Sequence, residues 1–367
     1  MSEIDTKYAS VHYTDYLQLK KLLDAQNMRS VELNEPAHDE MLFIIVHQVY
    51  ELWFKELIHD VDSVLNMFKG DSVDEKSIGT AVHRLNRVSE ILRLLIQQIG
   101  VLETMTPLDF LDFRNYLFPA SGFQSFQFRK LEVSLGLKAG GRETYYQTPY
   151  MSVFSEEERE QLIEAEEGMS LLQYVEQWLE RTPFLKWKNF DFLSAYKVAV
   201  DNMLVNEKAA IRNTNILNEK EKEMRLKMLG DTDTYFLTVL DENKHNEMMA
   251  EGKIKLSYKA TLGALLINLY RDEPILHLPF QLLSKLTDID ELLTTWRYRH
   301  AQMVLRMIGR KVGTGGSAGY EYLLSTAFKH QIFLDLHNIS TLMIPRSELP
   351  ELPAEVKKDL GFYYSTH

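Results

Sequence analysis

The segment TTWRYRHAQMVLRMIGRKVGTGGSAGYEYL, residues 294–323, holds one histidine, His300, just upstream of a loop with glycines at 313, 315, 316 and 319. Trp296, His300, Met303, Val304 and Met307 recur at offsets of four, seven, eight and eleven, the spacing of one helical face. His300 therefore points inward, in the company of an indole and two thioethers. Two readings fit it. A neutral imidazole in a flat apolar slot is how a protein offers one axial ligand to a haem iron while leaving the opposite face open. A buried core histidine is the commoner product of the same spacing. Arg297, Arg299, Arg306, Arg310 and Lys311 lie around this stripe, as partners for haem propionates or as a solvated face.

A second histidine lies in LFIIVHQVYELWF (42–54), where Phe43, His47, Tyr50 and Phe54 share a face at offsets of four, seven and eleven. That face is either core or the wall of a pocket that packs a flat aromatic ligand and gives it one hydrogen-bond partner. In DFLDFR (109–114), Phe110 and Arg114 are four apart and share a helix face. A ring beside a guanidinium suits a ligand that is part apolar and part carboxylate, such as an aromatic amino acid. The plainer alternative is a surface ion pair of Arg114 with Asp109 or Asp112. GTGGSAGYEYL lacks the lysine of a phosphate-binding loop and the preceding strand of a dinucleotide fingerprint. It does present bare backbone and the hydroxyls of Thr314 and Ser317, which suit the charged head of an amino acid. Tyr13, Tyr16 and Leu17 form an aromatic patch at i, i+3 and i+4, of a kind more often found in cores or subunit contacts than in sites.

The elements that must position these groups are helices. Period-3.6 patterns dominate, and strand-like alternation is scarce. The periodicity predicts helices over 13–26, 38–70, 77–105, 106–117 with Pro107 in its first turn, and 156–182. A break at 118–125 leads into another helix ending near 136, and 318–328 is helical. Residues 256–274 form a helix whose small residues permit close packing, ended by Pro274. The charged stretch around 205–255 reads as a solvated helical hairpin with opposite charges three and four apart. With no repeat or flexible linker, the expectation is one all-α domain over 1–367, with that hairpin as an insertion.

Composition narrows the chemistry. The chain of 367 residues carries 41 basic and 53 acidic residues, a formal charge of −12, so its field repels polyanions and nucleic acid is not an expected partner. With 0 cysteines, thiolate nucleophiles, disulfides and cysteine-held metals are excluded, leaving 11 histidines as the main metal donors. No apolar run approaches the roughly 18 residues of a membrane span, and MSEIDTKYAS lacks a secretory pattern. A cytoplasmic protein is the expectation.

Taken together, YTDYLQLKKLLDAQ, HDEMLFIIVHQVYELWFKELI, DFRNYLFPASGFQSFQFRKLE, LSYKATLGALL, YRDEPI, PFQLLSKLTDIDELLTTWRYRH and GTGGSAGYEYLLST resemble the tryptophan 2,3-dioxygenase family, in its order and over essentially the whole chain. The resemblance implies an all-α helical bundle that encloses one b-type haem per subunit within an intertwined homotetramer, a dimer of dimers. The implied reaction cleaves the indole C2–C3 bond of L-tryptophan with O2, giving N-formylkynurenine, the first step of tryptophan breakdown through kynurenine. It also assigns roles. His300 matches the proximal haem ligand, and His47 the distal histidine that meets the indole N–H. Phe43 matches the aromatic beside the indole, and Arg114 the residue that binds the substrate carboxylate, with Phe110 beside it. Thr314 matches the residue fixing the substrate's ammonium and carboxylate, and Ser121 and Gly122 those lining the haem pocket. Tyr13, Tyr16 and Leu17 match a segment reaching into a neighbouring subunit's site. Leu305 departs from the pattern of animal members, which carry a histidine there, so His300 is the sole candidate ligand in its helix. A sibling haem enzyme that mono-oxygenates a modified tryptophan or another indole, and a haem-binding sensor or helical interaction scaffold without turnover, are the competing readings. A carboxylate clamp of Arg114 and Thr314 beside a haem argues against the sensor.

Overall fold

The computed structural model describes residues 10–142, 150–311 and 319–362. Three short helices, α1 (Tyr13–Tyr16), α2 (Leu19–Leu23) and α3 (Arg29–Glu32), precede the long α4 (Glu40–Phe68) and α5 (Glu75–Leu102). α6 (Pro107–Arg114) and α7 (Phe126–Leu135) flank an irregular strap, and α8 (Glu156–Glu167) and α9 (Leu171–Glu180) follow. A hairpin of two-residue strands, β1 (Lys186–Trp187) and β2 (Phe190–Asp191), leads into α10 (Phe192–Asn213), α11 (Glu219–Val239) and α12 (Glu242–Ala250). α13 (Tyr258–Leu269), α14 (Pro274–Ile308), α15 (Gly319–Lys329), α16 (Leu334–Asn338) and α17 (Ala354–Leu360) complete the order. Among the described residues that hairpin is the only sheet, so the fold is all-α.

The core runs between α4, α5 and α14, whose stripes of Leu57, Val61, Val64, Leu85, Leu92, Leu95, Leu282, Leu286 and Ile289 are withdrawn from solvent. α15 also lies along α14, and α7 crosses α4. Local chemistry defines the helix ends near the cavity. Thr106 and Asp109 form a reciprocal capping box at the start of α6, with Pro107 in the first turn, where its missing N–H costs nothing. Ser125 caps α7 by accepting from Phe128 N–H at 3.3 Å. α14 stops at Gly309, whose φ of 62° disfavours a side chain. The close packing expected of 256–274 is real. A Cβ on Gly263 would lie 2.6 Å from the Leu179 carbonyl oxygen, so only glycine lets α13 approach α9 this closely.

Three expectations change. The helix predicted over 13–26 is broken by Gln18 at φ 53°, and Tyr13, Tyr16, Leu22 and Leu23 stay exposed. Without an apolar face to bury, so short an amphipathic segment has nothing to hold it continuous. The helix predicted over 156–182 is two, because Ser170 and Gln173 build a new capping box after Gly168. Pro274 opens a helix instead of ending one. α13 finishes at Leu269, and Pro274 is the first residue of the 35-residue α14, which therefore carries His300 on a long rigid rod.

Candidate active site

One large cavity, about 300 Å³, opens between α4, α6, the strap before α7, α14 and α15. α4 contributes Phe43, His47, Tyr50, Glu51 and Phe54, consecutive turns of its inner face. α6 contributes Phe110 and Arg114, α14 contributes Trp296, Arg297, His300, Met303, Val304 and Met307, and the strap contributes Ser121 and Gly122. The structure thus brings together Phe43, His47, Phe110, Arg114, Ser121, Gly122 and His300, drawn from stretches up to about 250 residues apart. Tyr13, Tyr16 and Leu17 are not among them; they are 68%, 75% and 41% exposed. Thr314 and Ser317 lie outside the described residues.

On the α14 side, the imidazole of His300 stacks on Trp296, with ring centroids 5.4 Å apart and planes 21° apart. Trp296 is locked in turn by Phe128 at 4.9 Å, Tyr50 at 6.2 Å and Phe54 at 6.3 Å. Burial, and to a smaller degree the neighbouring His47, lower the His300 pKa to about 4. It is therefore neutral at physiological pH and able to donate a lone pair. No hydrogen bond joins its ring to another described residue.

On the α4 side, His47 Nδ1 lies 2.7 Å from the Phe43 carbonyl oxygen, one turn back. A neutral ring must donate from Nδ1 in that bond, which leaves Nε2 as an acceptor toward the cavity. Burial also lowers the His47 pKa, against the opposing pull of the Phe43 carbonyl and the Glu51 carboxylate. Its ring packs on Phe43 at 4.1 Å, and Phe43, Phe110 and Phe113 form an aromatic cluster with centroids 5.4 to 5.8 Å apart. Arg114 lines the cavity at the exposed end of α6. Asp109 is engaged with Thr106 in the helix cap.

The inner end of the cavity is charged, a feature that the sequence reading missed. Glu132, 1% exposed, is held by Arg142 at 2.6 Å and by Arg129 and Arg297 at 2.8 Å. Burial alone would raise its carboxyl; the guanidiniums of Arg142, Arg129 and Arg297 reverse that and hold it well below the usual range. Arg297 also donates to the His330 carbonyl at 3.3 Å, while its Nε finds no acceptor among the described residues. Of the basic residues around the His300 stripe, only Arg297 reaches the cavity. Arg299 pairs with Glu103 at 3.0 Å, and Arg306, Arg310 and Lys311 are exposed. Glu51, Ser125, Arg129, Glu132, Tyr322, Thr326 and His330 also line the cavity without having been anticipated. Glu51 had a legible signal, four residues beyond His47 on one face. The rest come from α7 and the α15 end, whose proximity to α14 no local pattern announces.

The sequence profile described as tryptophan 2,3-dioxygenase matches residues 2–343. This chain belongs to that family. Named tryptophan 2,3-dioxygenases are similar to it over nearly their whole length. That of Bdellovibrio bacteriovorus is 49% identical over 98% of this chain and 100% of its own. That of Dictyostelium discoideum is 50% identical over 97% of this chain and 89% of its own. The enzyme of Xenopus laevis is 45% identical over 95% and 86%. Among the described residues no helix is long and apolar enough to cross a membrane.

Proposed function

We propose that this chain oxidises L-tryptophan with O2 to N-formylkynurenine in this cavity, cleaving the indole C2–C3 bond. The observation that carries the proposal is the placement of Phe43, His47, Phe110, Arg114 and His300 around one cavity. Residues suited to the indole, its N–H and the amino-acid carboxylate stand together with a bare imidazole.

The residues present fit a b-type haem, one per subunit. Neutral His300, open to an apolar slot and backed by Trp296, suits a single axial ligand. Among the described residues no three histidine or carboxylate groups converge as a metal cage, so an iron at His300 needs the remaining ligands from a macrocycle. Arg297, with a buried unsatisfied Nε, and Arg129 beside it supply positive charge for propionates. When bound, the haem supplies the binding and activation of O2.

The protein's own part is orientation and exclusion of water. Arg114 binds the substrate carboxylate, and a bidentate fork there selects amino acids over simple indoles. Phe43 and Phe110 pack the indole face. His47 accepts the indole N–H at Nε2, its tautomer held by the Phe43 carbonyl. An indole N–H is a very weak acid and the His47 pKa is lowered, so His47 positions the ring and does not abstract its proton. Holding the ring over the reactive face converts a collision into an intramolecular step. Thr314 is assigned the ammonium and carboxylate head, and Ser121 and Gly122 the pocket edge.

The exposed Tyr13, Tyr16 and Leu17 support a homotetramer, a dimer of dimers in which this segment completes a neighbouring subunit's site. The test is hemin titration of purified protein, followed by reduction, air, L-tryptophan and labelled O2. A Soret band and a product carrying both labelled atoms are expected. A colourless protein, or a product with one labelled atom, overturns the assignment.

A further inference from the structure

Glu51 faces the cavity one turn beyond His47, and the proposed mechanism leaves it without a role. Both oxygens of its carboxylate are engaged, one by the last residue of the strap and the other by the first turn of α7. Oε1 accepts from Ser125 Oγ at 2.6 Å, and Oε2 accepts from Gln127 Nε2 at 3.0 Å. The same Gln127 amide donates to the Glu51 main-chain carbonyl at 2.8 Å. Ser125 in turn caps α7 and donates its N–H to the Gly122 carbonyl at 3.1 Å. Ser121 and Gln124 form a reciprocal box in the same turn. Residues 121–125 are therefore a stiff unit, and Glu51 bolts it to α4 beside His47.

We infer that Glu51 is a positioning residue that sets the width of the cavity between His47 and the Ser121–Gly122 edge, and thereby decides which indole rings are accepted. The inference rests on the proposed reading that the indole lies against His47. The physical case is the clamp itself. A carboxylate that takes two side-chain donors from one turn fixes both its distance and its tilt, and charge-assisted bonds of this kind are roughly twice as strong as neutral ones. Losing them frees the turn to move outward, so the slot holds tryptophan more loosely while admitting bulkier rings. His300 and Arg297, on α14, are outside the clamp and keep their places.

The experiment compares wild type with Glu51→Ala, Glu51→Gln and Gln127→Leu, each reconstituted with hemin. KM and kcat are measured for L-tryptophan and for ring-methylated tryptophans, alongside Soret absorbance per subunit. Glu51→Ala is expected to raise KM for tryptophan roughly tenfold, the cost of about one charge-assisted hydrogen bond. Its kcat should fall less than KM rises, its haem content should stay constant, and its kcat/KM for methylated rings relative to tryptophan should rise several-fold. Glu51→Gln keeps an acceptor for Ser125 but opposes the Gln127 amide, and should fall between the two. Gln127→Leu leaves the carboxylate in place and should shift the selectivity in the same direction. If Glu51→Gln matches Glu51→Ala while Gln127→Leu leaves KM and selectivity at wild-type values, Glu51 acts through its charge and the clamp is wrong. Unchanged selectivity in every variant also overturns it. Wild-type protein that binds hemin but does not turn over tryptophan is a different result, and ends the functional proposal instead.

Discussion

His300 and Trp296, one turn apart on α14, stack at 5.4 Å, and the same indole is wedged among Tyr50, Phe54 and Phe128 from the facing helices. The orientation of the imidazole is thereby tied to the packing of three elements. Replacing Trp296 by Leu removes the stack and leaves a cavity in a well-packed aromatic cluster, at a cost of about 2–4 kcal/mol. Denaturant unfolding should show that loss, and hemin titration should show weaker, more heterogeneous binding. Hemin affinity equal to wild type would mean that the stack does not hold the ring.

The two histidines separate by cofactor content. His300→Ala should lose the Soret band on purification and recover it when imidazole is added to the buffer. His47→Ala should keep full haem and lose only part of its turnover, since it removes an orienting acceptor and not a base. A haem-replete His47→Ala without activity would contradict the positioning role.

Arg114 is expected to recognise carboxylate. Arg114→Met should raise KM for L-tryptophan on the order of a hundredfold, in line with about 2–3 kcal/mol for a charge-assisted bond. Binding of tryptamine, which has no carboxylate, should change little. Competition measured by the tryptophan-induced change in the haem spectrum decides the point. Equal losses for both ligands would place Arg114 in a structural role.

Acid should weaken the fold through the inner end of the cavity. Burial brings His330 from 6.5 to about 4, against the opposing pull of Glu132 and with added repulsion from Arg297, Arg142 and Arg129. Glu132 is likewise held below its ordinary range, so for both groups the unfolded chain binds more protons. Stability then rises with pH: fully present above about 6.5, declining as pH falls toward 4, and falling further as unfolded carboxylates protonate. The His330 part amounts to at most about 3 kcal/mol. Urea unfolding at several pH values checks it, and His330→Gln should flatten the slope between 6.5 and 4.

The exposed tyrosines near the N-terminus predict an effect between subunits. Deleting residues through 20 should both shift the oligomer toward smaller species in sedimentation and weaken tryptophan binding. A truncated protein that keeps normal tryptophan affinity would place Tyr13, Tyr16 and Leu17 outside any site.

Much of this protein is written locally. Helix faces follow from the spacing of apolar residues, because a side chain's direction on a helix is a matter of period alone. That is why Phe43 and His47, Phe110 and Arg114, and Trp296 and His300 were each paired correctly from the letters. The absence of cysteine and the acidic balance likewise needed no coordinates. What only the tertiary structure decided is which faces meet. α14 as one 35-residue rod, the Glu132 cluster drawn from 129, 142 and 297, and the bond from Ser125 to Glu51 all depend on packing between distant segments. A buried carboxylate or a shared cavity exists only once those segments exclude water together, and the strength of each charge there is set by that exclusion, which no single stretch of sequence encodes.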